Sequence, residues 1–314
     1  FFFGDTLGIY YLVIGLGVLL VSIFLSFSKY GDVVLGEPNE KPKYSFFAWG
    51  SMMFTCGLAA DILFYSFAEW TMYATNPHIA ELGSIADWAG VFPLFHWSFI
   101  PWAFYLVLAV VFGFMLHVRK RNRQRYSEAC RPVIGKHADG ILGRIIDLIA
   151  IFALLAGTAT TFSVATPLMA AIIVDLFGLT ISRTVITIVI LLVTCAVYTY
   201  AVLHGFKGIG FLAKACIHLF FGLLFIVLLV GGQGKFIIES GFQSLGKMVQ
   251  NFVELSTYTD PTRANNFPQD WTIYYWAYWM VWSVATPFFI AIISKGRTIR
   301  NLVLGTFGWG LAGT

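Results

Sequence analysis

Seven long apolar segments and the start of an eighth dominate this chain, and they restrict it to folds that cross a lipid bilayer. Each complete segment has roughly the 20 residues that an α-helix needs to span the hydrocarbon core. Only 11% of the residues are charged and the mean hydropathy is +0.78, whereas a soluble domain carries about 25% charged residues. The sequence therefore predicts an all-α, polytopic membrane protein.

The predicted spans follow from these segments. We expect them at residues 8–28, 46–73, 94–118, 145–176, 183–203, 209–231 and 271–293, with an eighth beginning near residue 300. Residues 234–268 are too charged to span, and their first half has the apolar spacing of a helix that lies along the interface. The chain starts without a methionine and stops inside an apolar segment, so we expect it to be a portion of a longer protein.

Loop charge predicts the orientation. Residues 119–144 contain eight Lys or Arg residues and residues 75–93 contain none, so the first loop faces the cytoplasm and the second faces outside. Alternation places residues 234–268 outside and three further loops inside, at 29–45, 204–208 and 295–300. The net charge of +4 is small, and we expect no nucleic-acid partner.

The seventh span carries an unusual set of large rings. Tyr275, Tyr278, Trp279 and Trp282 fall on one helical face about 100° wide. Such a face suits a desolvated organic cation, although an aromatic belt at the membrane interface also collects Trp and Tyr. Tyr278 and Trp279 lie well inside the span, which favours the cation site.

The third span offers a second aromatic face. Trp97 and Tyr105 share a face with Pro101, and Trp102 sits beside it. Trp97 alone is also compatible with an interfacial belt. Trp102 and Tyr105 lie deeper, which argues against that alternative.

Asp61 is an ionisable residue in the middle of the second span, and such residues mark functional sites. It follows a run of small residues that includes Gly57, and such a run can break a helix and expose backbone groups to a substrate or ion. The alternative is a structural hydrogen bond within the helix bundle. Glu69, two turns further along the same face, is expected to be structural.

Other polar residues in the spans have competing explanations. The hydroxyl-rich segment at 157–163, which contains Thr158 and Thr161, suits helix packing or an alkali ion. Lys214 either snorkels to the cytoplasmic edge or holds a fixed charge in the core. The four cysteines are scattered and no metal site is predicted. We find no catalytic motif, so the chain is not expected to be an enzyme.

Motifs along essentially the whole chain resemble those of the betaine/choline/carnitine transporter family. The most specific is Trp276-Ala277 and Trp279 joined to the basic run at residues 294–300. Further motifs lie at residues 28–32, 95–102, 136–147, 207–208 and 267–275. Several pieces resemble the carnitine/γ-butyrobetaine antiporter branch most closely.

The resemblance implies a secondary active transporter with a five-plus-five inverted-repeat (LeuT-like) fold, incomplete here at both ends. It implies a homotrimer, multi-pass in the plasma membrane of a bacterium, that moves choline, glycine betaine or carnitine by alternating access without a cofactor, coupled to a sodium ion or a proton or by exchange. The implied divisions are a peripheral helix and cytoplasmic loop at 1–45, the first repeat at 46–233, an interfacial segment at 234–268 and the start of the second repeat at 269–314.

The resemblance also implies the substrate site. An aromatic box around the quaternary ammonium would comprise Tyr73, Trp97, Tyr278 and Trp279, where position 278 is usually Trp. Trp102 and Tyr105 would line the permeation path, and Trp282 would guard its cytoplasmic side.

Three positions depart from the family pattern in ways that concern charge. Asp61 resembles choline-type members, because a buried carboxylate neutralises a net cation and also accepts a proton. The antiporter branch uses a Met sulfur and an Arg in place of sodium, but Thr286 and Cys216 stand at those positions. Lys214, two residues away, is a candidate substitute.

Two other functions remain open at this point. The first is a sensor of quaternary ammonium or osmotic state on the same fold, without turnover. The second is a sodium-coupled amino-acid transporter, which Asp61 disfavours because it would repel a substrate carboxylate.

Overall fold

A computed structural model describes residues 2–57 and 60–314, with side chains described except at residues 2, 57, 60, 61, 63 and 205–214. Among these residues the chain is helical, and its extended pairing is one isolated bridge between Val34 and Thr298. The helices in the first half of the chain are α1 (Phe2–Asp5), α2 (Gly8–Phe27), α3 (Phe46–Gly57), α4 (Ala60–Ala74), α5 (Pro77–Leu82), α6 (Ile85–Trp88), α7 (Val91–His96), α8 (Phe99–Gly113) and α9 (Tyr126–Ile134). Those in the second half are α10 (Ile141–Phe177), α11 (Arg183–Leu203), α12 (Gly205–Phe225), α13 (Gly234–Gln250), α14 (Phe252–Thr257), α15 (Ile273–Trp282), α16 (Thr286–Ile293) and α17 (Ile299–Leu311).

The lengths of these helices confirm a polytopic membrane protein. Among the described residues, four apolar stretches are long enough to cross a bilayer: α2, residues 85–118, α10 and α11. Two bent helix pairs raise the number to six if each pair is one span. In one pair, α13 turns by 109° from the helix before it, so it leaves the line of the span as its amphipathic spacing predicts. In the other, α15 and α16 meet at 54°.

The helices divide into two units. The first comprises residues 1–58, 91–158 and 248–314, and the second comprises residues 59–90 and 159–247. In the first unit, α8 is the central helix and packs against α2, α15, α16 and α17. It is apolar on all sides, as a helix surrounded by other helices must be.

Two glycines allow α17 to pack closely in the first unit. A Cβ atom at Gly310 would lie 2.8 Å from ring atoms of Trp102 on α8. A Cβ atom at Gly305 would overlap the ring of Trp49 on α3. Because neither glycine has a side chain, two buried indole rings can pack directly against α17.

Loops predicted to be cytoplasmic meet at one end of the first unit. The Leu35 N–H donates to the Arg297 carbonyl at 2.8 Å, and the Gly296 N–H donates to the Leu35 carbonyl at the same distance. Ion pairs join the same loops: Arg300 with Asp32 at 2.7 Å, Lys295 with Glu40 at 2.8 Å, and Lys120 with Glu37. Residues 29–45, 119–120 and 295–300 thus share one end, as the predicted topology requires.

The second unit has its own polar tie. Asp87, just after the start of α6, accepts a hydrogen bond from Gln243 at 2.6 Å and pairs with Lys247 at 3.1 Å, both on α13. The Lys247 ammonium also lies 4.9 Å from the centre of the Trp88 ring. These contacts hold the short helix α6 against the amphipathic helix α13, between two segments that are predicted to face outside.

Candidate functional site

The residues of α15 present large rings on more than one side of the helix. Tyr275, Trp276 and Trp279 are buried, and the first and last of these lie one turn apart on the same side. So many bulky side chains on one helix must be covered by neighbouring elements. For α15, these elements are α8 and the turn before it.

Four rings form a cluster centred on Trp279, which we call the Trp279 cluster. The centre of the Trp279 ring lies 5.4 Å from that of Trp97, 6.0 Å from Trp102 and 5.2 Å from Tyr105. Trp97 precedes α8, and Trp102 and Tyr105 lie on its first two turns. The structure therefore brings together four residues that the sequence placed on two separate spans.

The Trp279 cluster contains one unsatisfied polar atom. The indole Nε1 of Trp279 is buried and has no hydrogen-bond partner among the described residues. Such a buried donor costs about 1–3 kcal/mol when unpaired. By contrast, Trp102 Nε1 donates to the Thr314 hydroxyl at 3.3 Å, and that hydroxyl donates to the Trp97 carbonyl at 2.9 Å. An acceptor on a guest molecule would satisfy the indole of Trp279.

A buried histidine supports the cluster from behind. The ring of His96 stacks on Tyr275 at 4.7 Å, and its Nε2 lies 3.0 Å from the hydroxyl of Thr272. Tyr275 in turn meets Trp97 edge-on at 5.8 Å. Sequence reasoning did not assign His96 or Thr272 to the site. The signal in the sequence was a histidine inside the apolar run at residues 91–106. The structure shows that this histidine is fully buried, where a polar ring needs a partner.

On the aromatic face of α15, Tyr278 lies at the edge that is opposite to Trp279. Its ring stacks on Tyr274 at 5.9 Å, and Tyr274 is partly exposed and lines a cavity of about 490 Å³ with Asp270 and Arg263. Tyr278 and Trp279 are adjacent residues, so their side chains point about 100° apart. The described contacts place Trp279 in the cluster and Tyr278 beside Tyr274.

Tyr73 belongs to the second unit, at the end of α4. Its side chain is buried, and its hydroxyl donates to the carboxylate of Glu69 at 2.8 Å. Glu69 is itself almost fully buried, which fits the structural role expected for it. The side chain of Asp61, earlier on the same helix, lies outside the described residues.

Trp282 ends α15, directly before the bend that leads into α16. Its indole Nε1 is buried and lacks a partner among the described residues. A Cβ atom at Gly157 on α10 would come 2.6 Å from the side chain of Val281, the residue before Trp282, so this glycine allows α10 to approach the end of α15. Beyond it, Ser283 turns its hydroxyl back to the Met280 carbonyl at 2.5 Å.

The predicted coupling residues lie on three helices, α10, α12 and α16. Thr158 donates to the Leu154 carbonyl at 2.9 Å within α10, as a packing hydroxyl does. Thr161 is buried further along α10, and Thr286 is half-buried at the start of α16. Cys216 is exposed on α12. The side chain of Lys214 lies outside the described residues.

Comparison with known proteins agrees with the sequence motifs. The family model for betaine/carnitine/choline transporters matches residues 2–314. The glycine betaine transporter OpuD of Bacillus subtilis (strain 168) is 31% identical over 311 residues, which is 97% of this chain. The chain spans 60% of the length of that relative.

Proposed function

Since this chain belongs to the betaine/carnitine/choline transporter family, we propose that the protein moves a quaternary-ammonium compound across the membrane by alternating access. The proposal rests most on the Trp279 cluster, where three rings lie within 6.0 Å of a fourth and a buried N–H awaits an acceptor. Faces of Trp and Tyr attract a desolvated cation by about 2 kcal/mol or more. A soft, methylated cation loses little hydration on entering such a site.

Binding requires the cluster to open. Its rings touch one another at 5.2–6.0 Å between centres, and a trimethylammonium group gripped between two rings needs them further apart. Trp279 is the ring shared by all three contacts. We therefore propose that the guest enters by displacing Trp279 from Trp97, Trp102 or Tyr105, and that the rings close again when it leaves.

The rest of the guest determines which compound is carried. The Trp279 N–H is a donor for the carboxylate of glycine betaine or carnitine or for the hydroxyl of choline. Asp61 favours choline, because its carboxylate neutralises a net cation and repels a zwitterion's carboxylate. The relative named as a glycine betaine transporter makes glycine betaine the first compound to compare with choline.

The decisive experiment is counterflow uptake of labelled choline, glycine betaine and carnitine into proteoliposomes that contain the full-length protein. We expect uptake of at least one. If Asp61 sets the accepted charge, Asp61→Asn will lower choline uptake relative to glycine betaine uptake. An unchanged ranking would remove that role, and binding of all three without uptake would favour a sensor.

The coupling mode is tested in the same vesicles. We propose a sodium ion or a proton as the coupling ion. Thr158 or Thr161 on α10, or separately Thr286 on α16, is a candidate oxygen ligand for sodium, and Asp61 is the candidate proton carrier. Uptake that requires a sodium gradient supports the first, and uptake that follows a pH gradient supports the second. Uptake that depends only on internal substrate establishes exchange. In that case, Lys214 and Cys216 are the residues to substitute next. We further propose an inverted-repeat fold, a homotrimer and a plasma-membrane location.

A further inference from the structure

His96 is a polar ring at a position where an apolar ring would fit. It is fully buried, and the ring centres of Phe92, Phe95 and Trp276 lie 5.8, 5.4 and 5.8 Å from its own. Burying an imidazole among such rings costs free energy unless its nitrogens are hydrogen-bonded. A phenylalanine would avoid that cost, so any advantage of the imidazole lies in its polar edge.

The polar edge of His96 is bonded to the start of α15. Its Nε2 lies 3.0 Å from the hydroxyl of Thr272, a buried residue that ends the turn at residues 268–272 leading into α15. A hydroxyl both donates and accepts, so the pair forms with either tautomer of the imidazole. A hydrogen bond is directional, and a buried polar contact specifies one arrangement where packing alone allows several. The bond therefore fixes the orientation of the imidazole.

The face of the same imidazole carries Tyr275. The two ring centres lie 4.7 Å apart and the planes differ by 18°. Tyr275 follows Thr272 by three residues, so both lie on one side of the helix, and His96 contacts one through its edge and the other through its face. Because interiors are closely packed and transmit displacements, a rotation of the imidazole would move Tyr275.

Tyr275 in turn supports Trp97, a member of the Trp279 cluster. Trp97 lies in the two-residue connection between α7 and α8, so tertiary contacts and not a continuous helix determine where its ring lies. That ring meets Tyr275 at 5.8 Å and Trp279 at 5.4 Å, both nearly edge-on. Trp97 thus packs against two successive turns of α15, and a shift of Tyr275 would change its distance from Trp279.

We propose that His96 is a positioning residue for the Trp279 cluster. Its bond to Thr272 fixes the imidazole, the imidazole fixes Tyr275, and Tyr275 fixes the spacing of Trp97 and Trp279. This inference rests on the proposed function, in which the cluster binds the quaternary ammonium, and His96 acts there through other residues and not on the guest. Partners that orient metal ligands from behind contribute about 10-fold to 100-fold in affinity or activity, and we expect about tenfold in affinity here.

A double-mutant cycle separates positioning from stability. His96→Phe and Thr272→Val each remove one partner, so each should lower the melting temperature of the full-length protein in detergent. The double variant should recover most of that loss, because apolar groups of similar shape replace both partners. Affinity for labelled choline or glycine betaine should remain about tenfold weaker in all three variants, because the bond that orients the ring is gone.

Two control variants match the removed hydrogen bond. Thr272→Ser keeps the hydroxyl, so its affinity should stay within about twofold of wild type. Ser294→Ala removes the hydroxyl that accepts the Trp49 indole N–H at 3.0 Å, a buried pair of the same length in the same unit. It should lower the melting temperature and leave affinity within about twofold of wild type.

A second readout needs no ligand. The indoles of Trp97 and Trp279 lie 5.4 Å apart with their planes at 70°, close enough for their transitions to couple and give a couplet in far-ultraviolet circular dichroism. The difference between spectra with Trp279 and with Trp279→Phe isolates the couplets that involve Trp279. We expect this difference to weaken in the double-variant background and to keep its wild-type amplitude in Ser294→Ala.

Two outcomes would overturn the proposal. If affinity recovers together with stability in the double variant, His96 serves to tie α7 to α15 and does not position the site. An unchanged couplet in the double variant would mean that Trp97 has not moved. If the wild-type protein binds none of the tested compounds, the proposed function fails, whereas a weakened couplet still supports the positioning of Trp97 by His96.

Discussion

Residues 275–282 and residues 294–300 differ in whether their buried polar atoms form hydrogen bonds. In the first stretch, the indole N–H groups of Trp276, Trp279 and Trp282 are buried and have no hydrogen-bond partner among the described residues. Each unpaired donor lowers stability by about 1–3 kcal/mol. The first stretch therefore has hydrogen-bond donors that the described contacts do not use.

The second stretch uses nearly all of its polar capacity. Ser294 accepts the indole N–H of Trp49 at 3.0 Å, and Arg297 donates from Nη2 to the Tyr44 carbonyl at 3.0 Å. The Arg297 guanidinium also lies 4.2 Å over the Trp49 ring, although its Nε has no partner among the described residues. These contacts fix α3 to the segment before α17.

In keeping with the proposed function, we interpret the contrast as one between a ligand-binding region and a region that stabilises the helix bundle. Unsatisfied donors among aromatic rings are costly unless a ligand completes them, whereas stacked and bonded cations at a helix junction stabilise the resting chain. Changes at residues 275–282 should therefore alter ligand binding more than stability. Changes at residues 294–300 should do the reverse.

The largest expected effect is that of Trp279→Ala. It removes a ring that contacts Trp97, Trp102 and Tyr105 and an N–H available to the guest, so we expect uptake and ligand affinity to fall about 100-fold or more. Trp279→Phe keeps a ring and loses the N–H, and it should fall about tenfold. Equilibrium binding of labelled glycine betaine or choline to purified protein measures both. Unchanged affinity in the alanine variant would remove the cluster from the binding site.

Arg297→Ala should produce the largest loss of stability. It removes the cation over Trp49 and the hydrogen bond to Tyr44, so we expect a loss of about 2–4 kcal/mol. Lys295→Ala is the matched control, because its half-exposed ion pair with Glu40 should contribute less than about 1 kcal/mol. Thermal unfolding in detergent compares them. An Arg297 variant that is stable but has lost binding would contradict the expectation that residues 294–300 affect stability more than binding.

The sequence predicts apolar helices of membrane-spanning length, because length and periodicity are local. It predicts seven full spans, however, and the described residues contain four, or six if each bent pair is one span. The face on the third span was read from spacing that α8 preserves, and the meeting of Trp97 with Trp279 agrees with motifs shared across a family. The stack of His96 on Tyr275 could not be read in this way. It joins residues 179 positions apart, and no helical period links them.

Close glycine–tryptophan contacts are also invisible to periodicity. Trp49 and Gly305 are separated by most of the chain, and each has an ordinary place on its own helix. Partners of this kind depend on how helices cross, which the local pattern does not specify.

Gly310→Ala should have effects of intermediate size on both stability and ligand affinity. The new methyl group would lie 2.8 Å from the Trp102 ring and push it against Trp279, so we expect a loss of stability of about 1–3 kcal/mol and a several-fold loss of affinity. Gly308→Ala, on the same helix, has open space around its Cβ and should be neutral or stabilising by up to about 1 kcal/mol. Equal behaviour of the two variants would show that Trp102 tolerates displacement.

The smallest expected effect distinguishes two adjacent residues of the first stretch. Tyr278→Ala removes the ring stacked on Tyr274, and a ring pair of this kind contributes about 0.5–1.5 kcal/mol, so affinity should fall about threefold to tenfold. Tyr278→Phe keeps the stack and should bind normally. If Tyr278→Ala instead matches the loss in Trp279→Ala, then Tyr278 closes on the guest directly, as its place in the family's aromatic box implies. The ligand would then bind between two sides of α15 rather than within the Trp279 cluster alone.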